Sequence, residues 1–163
     1  MKIVISGTPG TGKTEVSDIL SKRLNLPVLH VNDFAKEHKL VDKKGEVNLE
    51  KLFEKIKNFE GILESHVLCE IPLYDTIIIL RCHPEKLKSR LGKRDYPAAK
   101  LKENLEAEAI DYCVQIAEQY YCRVIQIDTT YMTLKEVAER IIDYLENHKT
   151  DNPDFSEFIL KNF

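Results

Sequence analysis

Two rhythms of apolar residues alternate along the chain. Lys2–Ser6 is a short apolar run that ends in a glycine-rich turn, which predicts a buried strand. Directly after it, Lys13–Leu24 carries apolar residues at Val16, Ile19, Leu20 and Leu24, the spacing of one helical face. Pro27–Val31 predicts a second strand, Asp33–Lys39 a short helix and Asp42–Glu46 a polar loop. Leu49, Leu52, Phe53 and Ile56 share one side of a helix predicted over Leu49–Lys57. Gly61–Leu63 begins a third strand, and Thr76–Arg81 is a fourth that is nearly all apolar. A strand apolar on both faces belongs in the middle of a parallel sheet. Pro84 opens a basic helix through Leu91, and Pro97 a long helix that continues to about Tyr120. Arg123–Ile127 is the fifth strand, and Leu134–Leu145 closes the pattern as an amphipathic helix.

Strands alternating with helices over short links imply right-handed crossovers. The expected fold is therefore a three-layer α/β domain around a five-stranded parallel sheet, with residues 1–163 forming one domain. No internal repeat, low-complexity tract or linker interrupts the pattern. Beyond Lys149 the chain is polar, then apolar at Phe155, Phe158 and Ile159, spaced i, i+3, i+4. That triplet suits packing on the protein's own core, and it also suits docking on a partner.

Composition alters this picture little. Hydrophobic residues make up 43% and charged residues 31%, as in ordinary globular proteins. A formal net charge of −3 gives no overall field for nucleic acid, so any anion site is local. Apolar runs such as Thr76–Leu80 fall far short of the roughly 20 residues of a membrane span. Met1-Lys2 leads straight into the first strand with no signal-peptide pattern before it, which reads as a cytoplasmic protein. The four cysteines, Cys69, Cys82, Cys113 and Cys122, form no Cys-x-x-Cys pair and read as free thiols.

The chemistry begins at Gly7-Thr8-Pro9-Gly10-Thr11-Gly12-Lys13-Thr14, a complete P-loop pattern between an apolar strand and an amphipathic helix. Its glycines let the backbone wrap an anion with N–H groups pointing inward, and the helix N-terminus adds partial positive charge. Lys13 supplies a mobile full charge for the β- and γ-phosphates, and the Thr14 hydroxyl suits a Mg²⁺ ion. A glycine-rich turn without a ligand leaves that lysine and threonine unexplained. Asp42-Lys43-Lys44-Gly45 fits the loose Asp-x-x-Gly of GTPases, but it sits in a polar loop and reads as a surface turn. No Asn-Lys-x-Asp motif for guanine is present.

Three further segments narrow the class. His30-Val31-Asn32-Asp33-Phe34-Ala35-Lys36-Glu37 follows the second strand, and Glu64-Ser65-His66 ends the third. Arg90-Leu91-Gly92-Lys93-Arg94-Asp95-Tyr96 is followed by Lys100, Asn104 and Glu108. With the P-loop, these resemble the adenylate kinase isoenzyme 6 family, which includes archaeal adenylate kinases, over roughly residues 1–147. The resemblance implies a broad-specificity nucleoside monophosphate kinase (ATP + AMP = 2 ADP) with ATPase activity. It also implies action in small ribosomal subunit maturation through a small-subunit ribosomal protein, as a monomer or transient heterodimer.

By the same resemblance, Gly10, Thr11, Gly12, Lys13, Thr14 and Glu15 line the ATP phosphates. Residues from about 30 to 47 form the monophosphate-binding region, with His30, Asp33, Lys36 and Arg90 as candidate ligands. Residues from about 93 to 103 form the lid, with Arg94 on the nucleotide. Thr14 and Glu64 are the candidate Mg²⁺ ligands, and Lys13, Arg94, His66 and Glu64 the candidate catalytic set. The chain departs from the family at Glu15, where Thr or Ser is common, and at Glu64, where Asp is more frequent. It also has Lys36 in place of an arginine, and a lysine cannot make a two-pronged contact to phosphate.

The residues leave some alternatives open. Arg90 and Arg94 lie four apart beside Pro97, which suits mobile positive charge over phosphates and equally a solvated basic face. Asp33 suits the acceptor site or a helix N-cap. Glu64 ends a strand beside the P-loop, where ligands collect in open α/β sheets. His66, two residues after that acid, suits a γ-phosphate contact or the positioning of water. The rival activities are an ATP-driven assembly factor for a ribosomal protein, with incidental kinase activity, and a kinase for a small metabolite such as a sugar acid.

Overall fold

The computed structural model describes residues 1–163. Its strands are β1 (Lys2–Gly7), β2 (Val28–His30), β3 (Gly61–Glu64), β4 (Thr76–Arg81) and β5 (Arg123–Asp128). The helices are α1 (Lys13–Leu24), α2 (Val31–Glu37), α3 (Leu49–Ile56), α4 (Pro84–Gly92), α5 (Ala98–Ala109), α6 (Tyr112–Tyr120), α7 (Leu134–Asn147) and α8 (Ser156–Asn162). A short 3₁₀ helix, His66–Glu70, follows β3. All five strands are parallel, in the order β2-β3-β1-β4-β5.

Period-two alternation sends successive strand residues to opposite faces. Val4, Leu63, Ile77 and Ile79 face one layer, with Val31, Ala35, Leu52, Ile56, Leu68, Val114 and Ala117. Ile3, Ile5, Ile62, Ile78 and Leu80 face the other, against α1 and α7 through Val16, Leu20, Val137 and Ile141. Both faces of β1, β3 and β4 are therefore buried, as their unbroken apolar runs require. A third, smaller core joins α4, α5 and α8 through Leu87, Leu91, Leu105, Ala109 and Phe158. The Phe-containing tail thus packs on its own chain: Phe155 and Phe158 are buried, although Leu160 is 83% exposed.

Two expected boundaries shift. The predicted long helix from Pro97 is two helices, because Asp111 adopts a left-handed conformation (φ 59°) between α5 and α6. The carboxylate of Asp111 accepts a hydrogen bond from the buried Arg81, a tertiary partner that no local signal announces. Helix α2 starts two residues earlier than expected, with His30 at its N-cap position. Asp33 is therefore an exposed residue of the first helical turn, and its reading as the N-cap is corrected.

No helix is long and apolar enough to cross a membrane. All four cysteines are free; Cys69, Cys82 and Cys113 are buried and Cys122 is exposed. Asp42 stabilises its turn by accepting from the N–H groups of Lys44 and Glu46, as expected for a surface loop.

Candidate functional site

The sheet order reverses around β1, so the C-terminal ends of β1, β3 and β4 open onto one crevice. The P-loop leaves β1 there and enters α1. At Gly7 (φ 143°) a Cβ would sit 2.6 Å from the carbonyl oxygen of Leu80, so only glycine lets the loop depart this close to β4. Gly12 (φ 94°) occupies the N-cap of α1 and offers no side-chain cap. The first N–H groups of α1 thus stay available to an anion.

Lys13 is buried, and its ammonium donates to the carbonyl of Thr8 at 3.0 Å. The Thr11 hydroxyl donates to the same carbonyl at 2.9 Å. Burial lowers the Lys13 pKa, and the negative charges of Glu64 and Glu108 oppose that shift. The lysine is held as a charge that phosphate oxygens would solvate better than the carbonyl does.

A carboxylate flanks the loop on each side. On the α1 side, the Thr14 hydroxyl lies 3.3 Å from Glu64 Oε1. The same oxygen is 2.8 Å from His30 Nδ1, and His30 Nε2 is 3.0 Å from Asp18 Oδ1. Strand register explains the contact, because His30 of β2 pairs directly with Glu64 of β3. Partial burial on its own would lower the His30 pKa, but the hydrogen bond and charge of Glu64, with Asp18 beyond, raise it above the usual histidine value.

On the β4 side, the Thr8 hydroxyl donates to Glu108 Oε2 at 2.6 Å. Glu108 Oε1 accepts from Arg81 Nε at 2.7 Å and from the N–H of Cys82 at 3.2 Å. Arg81 also donates to Gln126, to the Glu108 carbonyl and to Asp111, and its guanidinium lies 5.1 Å from the ring centre of Phe155. A buried ion pair thus ties the P-loop to β4, β5, the α5–α6 joint and the tail.

The remaining candidates fall around this crevice. His66 begins the 3₁₀ helix, and its carbonyl accepts from Ser6 Oγ. Crowding by the surrounding protein, with Lys13 and Lys100 nearby, pushes its pKa down to about 4, so the partly exposed imidazole is neutral at physiological pH. Arg94 is exposed just beyond α4 and is near enough for its charge to act on Lys13. Glu15 is exposed in the first turn of α1.

The four candidate monophosphate ligands are not gathered in one place. His30 is engaged by carboxylates at both ring nitrogens, and Asp33 and Lys36 are exposed on α2 at the β2 edge. Arg90 points to the opposite side, 3.4 Å from both the hydroxyl and the carbonyl of Thr129 just after β5. The residues numbered 93–103 span the α4–α5 link and the first turns of α5.

Sequence reasoning assigned no role to Asp18, Arg81 or Glu108. Asp18 was accessible to it, since it lies four residues after Thr14 and thus on the same face of α1. Arg81 ends a strand that is otherwise apolar, a sign of a buried charge in need of a partner.

A family model described as "AAA domain" matches residues 3–111. Proteins described as "Putative adenylate kinase" match nearly the whole chain. One from Methanocaldococcus jannaschii is 36% identical, over 91% of this chain and 88% of its own length. One from Methanosarcina acetivorans is 39% identical, over 93% and 91%.

The chain belongs to the family of these archaeal proteins.

Solved structures share the fold at lower identity. Shikimate kinase from Acinetobacter baumannii, in complex with shikimate, superposes with a TM-score of 0.69 at 13% identity, over 92% of this chain and 95% of that one. Deoxyadenosine kinase from M. mycoides with bound dATP gives 0.62 at 19%, over 90% and 100%. Both share the α/β fold of this family member, in which the Gly7–Thr14 loop follows the central strand β1.

Proposed function

We propose that this chain transfers the γ-phosphoryl group of ATP to a nucleoside monophosphate, with AMP as the first candidate, forming ADP. The observation that carries the reading is the convergence of Lys13, the Thr14–Glu64 pair and the uncapped α1 N-terminus at the end of β1. The archaeal relatives described as "Putative adenylate kinase" support the choice of reaction.

The loop N–H groups from Gly10 to Glu15 bind the ATP phosphates, and Lys13 leaves the Thr8 carbonyl for the β- and γ-phosphates. Arg94 swings in from the α4–α5 link, adds positive charge where the transferred group becomes electron-rich, and helps exclude water. The acceptor lies between α2 and that link, within reach of Asp33 and Lys36. A monophosphate oxygen is already ionised at neutral pH, so no general base is needed and the work is alignment and charge stabilisation.

The residues fit a Mg²⁺ ion that arrives with ATP. No group of three or more acidic, histidine or cysteine side chains forms a metal site by itself. Thr14 and Glu64 are instead one hydroxyl and one carboxylate side by side, and Glu64 Oε2 has no protein donor. Mg²⁺ commonly takes one or two protein ligands and completes its shell with phosphate oxygens and water. When bound, it neutralises phosphate charge and helps fix the geometry for transfer.

A second reading rests on His66. A neutral imidazole close enough to Lys13 to feel its charge suits the alignment of a water for ATP hydrolysis. With the family resemblance, it supports an ATPase acting in small-subunit ribosome maturation in the cytoplasm, with a ribosomal protein as partner. A coupled assay with ATP and each monophosphate, run beside ATP alone, tests both readings. AMP-dependent ADP formation supports transfer, and phosphate release with no response to any monophosphate overturns it. His66→Ala is expected to lose hydrolysis and keep transfer; equal loss of both rejects a separate role for His66.

A further inference from the structure

We propose that His30, itself held by Asp18, is a positioning residue that fixes the Glu64 carboxylate against Thr14, rather than a ligand of the acceptor nucleotide. The proposal rests on the reading that Thr14 and Glu64 hold the divalent cation of ATP.

The geometry is a closed ring of side chains. Thr14 Oγ1 meets Glu64 Oε1 at 3.3 Å, Glu64 Oε1 meets His30 Nδ1 at 2.8 Å, and His30 Nε2 meets Asp18 Oδ1 at 3.0 Å. One turn of α1 closes the ring, because Asp18 follows Thr14 by four residues and shares its face. The backbone imposes the arrangement: His30 is the last residue of β2 and sits in register with Glu64, the last residue of β3. The two side chains leave the sheet together, over the start of α1.

Glutamate has more rotatable bonds than aspartate, and freezing a long side chain costs rotamer freedom. A carboxylate free to wander is a poor cation ligand. Here the histidine fixes one oxygen and leaves Oε2 without a protein partner. Both ring nitrogens are occupied, so neither remains to meet a phosphate without dismantling the ring. Partners behind a metal ligand commonly affect metal affinity by about 10–100-fold.

The test compares ATP affinity with and without Mg²⁺ by calorimetry, and Mn²⁺ binding to the protein–ATP complex by electron paramagnetic resonance, in wild type and variants. His30→Ala is expected to lose about tenfold or more of the Mg²⁺-dependent gain in ATP affinity. Its affinity for ATP in EDTA and its KM for AMP stay within about twofold. His30→Asn, whose amide nitrogen takes the place of Nδ1, restores most of the gain. Asp18→Ala, at a half-exposed surface position, gives an intermediate loss and guards against misfolding of the His30 variants. An unchanged Mg²⁺ dependence in a folded His30→Ala, or a change confined to the KM for AMP, overturns the proposal. Glu64→Gln separates the two levels of the argument. If wild-type affinity responds to Mg²⁺ and Glu64→Gln does not lose the response, the reading of the Thr14–Glu64 pair fails, and the role of His30 falls with it.

Discussion

Two glutamates flank the same phosphate loop, and burial does not tell them apart: Glu108 is 2% exposed and Glu64 is 5% exposed. Their partners do. Both oxygens of Glu108 accept hydrogen bonds, from Arg81 and Cys82 at one and from Thr8 at the other. Arg81, 1% exposed, spends its guanidinium on Glu108, Gln126 and Asp111. Glu64 accepts at one oxygen only, beside the crevice mouth. A buried carboxylate with both oxygens engaged is architecture, whereas one with an oxygen free of protein donors at a phosphate site is available for chemistry.

The largest expected effect comes from breaking this contrast on the architectural side. Glu108→Ala leaves Arg81 as a buried charge without its main partner, which costs about 3–5 kcal/mol. In a chain of this size each kcal/mol moves the melting midpoint by roughly 2–4 °C, so a fall of about 6–20 °C is expected. Glu64→Gln is expected to leave the midpoint within a few degrees and to lower kcat by about 10²–10³-fold, as for the loss of one preorganised electrostatic group. Thermal melts and initial rates on both variants check the pair. Rates that fall more for folded Glu108→Ala than for Glu64→Gln would reverse the assignment.

A smaller perturbation separates the loop's backbone from its side chains. Thr8→Val keeps the shape and removes the hydroxyl that Glu108 accepts from. Leaving that carboxylate oxygen short of a donor costs about 1–3 kcal/mol. Lys13 and Thr11 bind the Thr8 carbonyl, not its hydroxyl, so ATP affinity is expected to stay within a few-fold. Denaturant unfolding and an ATP titration read the two quantities separately. A stable variant that no longer binds ATP would show that the Glu108 contact shapes the loop directly.

The contrast also explains what the sequence could and could not reveal. The apolar alternation in Lys2–Ser6 and Thr76–Arg81 encodes the strands because both sheet faces are buried. The P-loop was legible because backbone, lysine and threonine act within eight neighbouring residues. Glu64 was legible as the acid that ends a strand. The contact of His30 with Glu64 was not legible, because it is set by the register of β2 on β3, a tertiary fact. Arg81 and Glu108 lie 27 residues apart, and nothing in either local pattern names the other. The same pair hides the break between α5 and α6, where Ala109-Ile110-Asp111 contains no glycine or proline to mark it.

That break offers the finest test of the comparison. Asp111 accepts from Arg81 Nη2 but is 38% exposed, and it holds its left-handed conformation at φ 59°. Asp111→Asn keeps an oxygen acceptor and a residue type that tolerates this conformation. Only the charge is lost, at a solvent-screened position, while Arg81 retains Glu108. A pair of this exposure contributes about 0–1 kcal/mol, so the midpoint should fall by no more than roughly 4 °C, with kcat unchanged. Asp111→Ala removes the acceptor as well and adds the cost of a left-handed alanine, of about 1–2 kcal/mol. The two melts therefore divide the α5–α6 joint into a charge component and a backbone component. If Asp111→Asn destabilised as much as Glu108→Ala, the balance of charge on Arg81 would lie at the exposed joint instead of behind the phosphate loop.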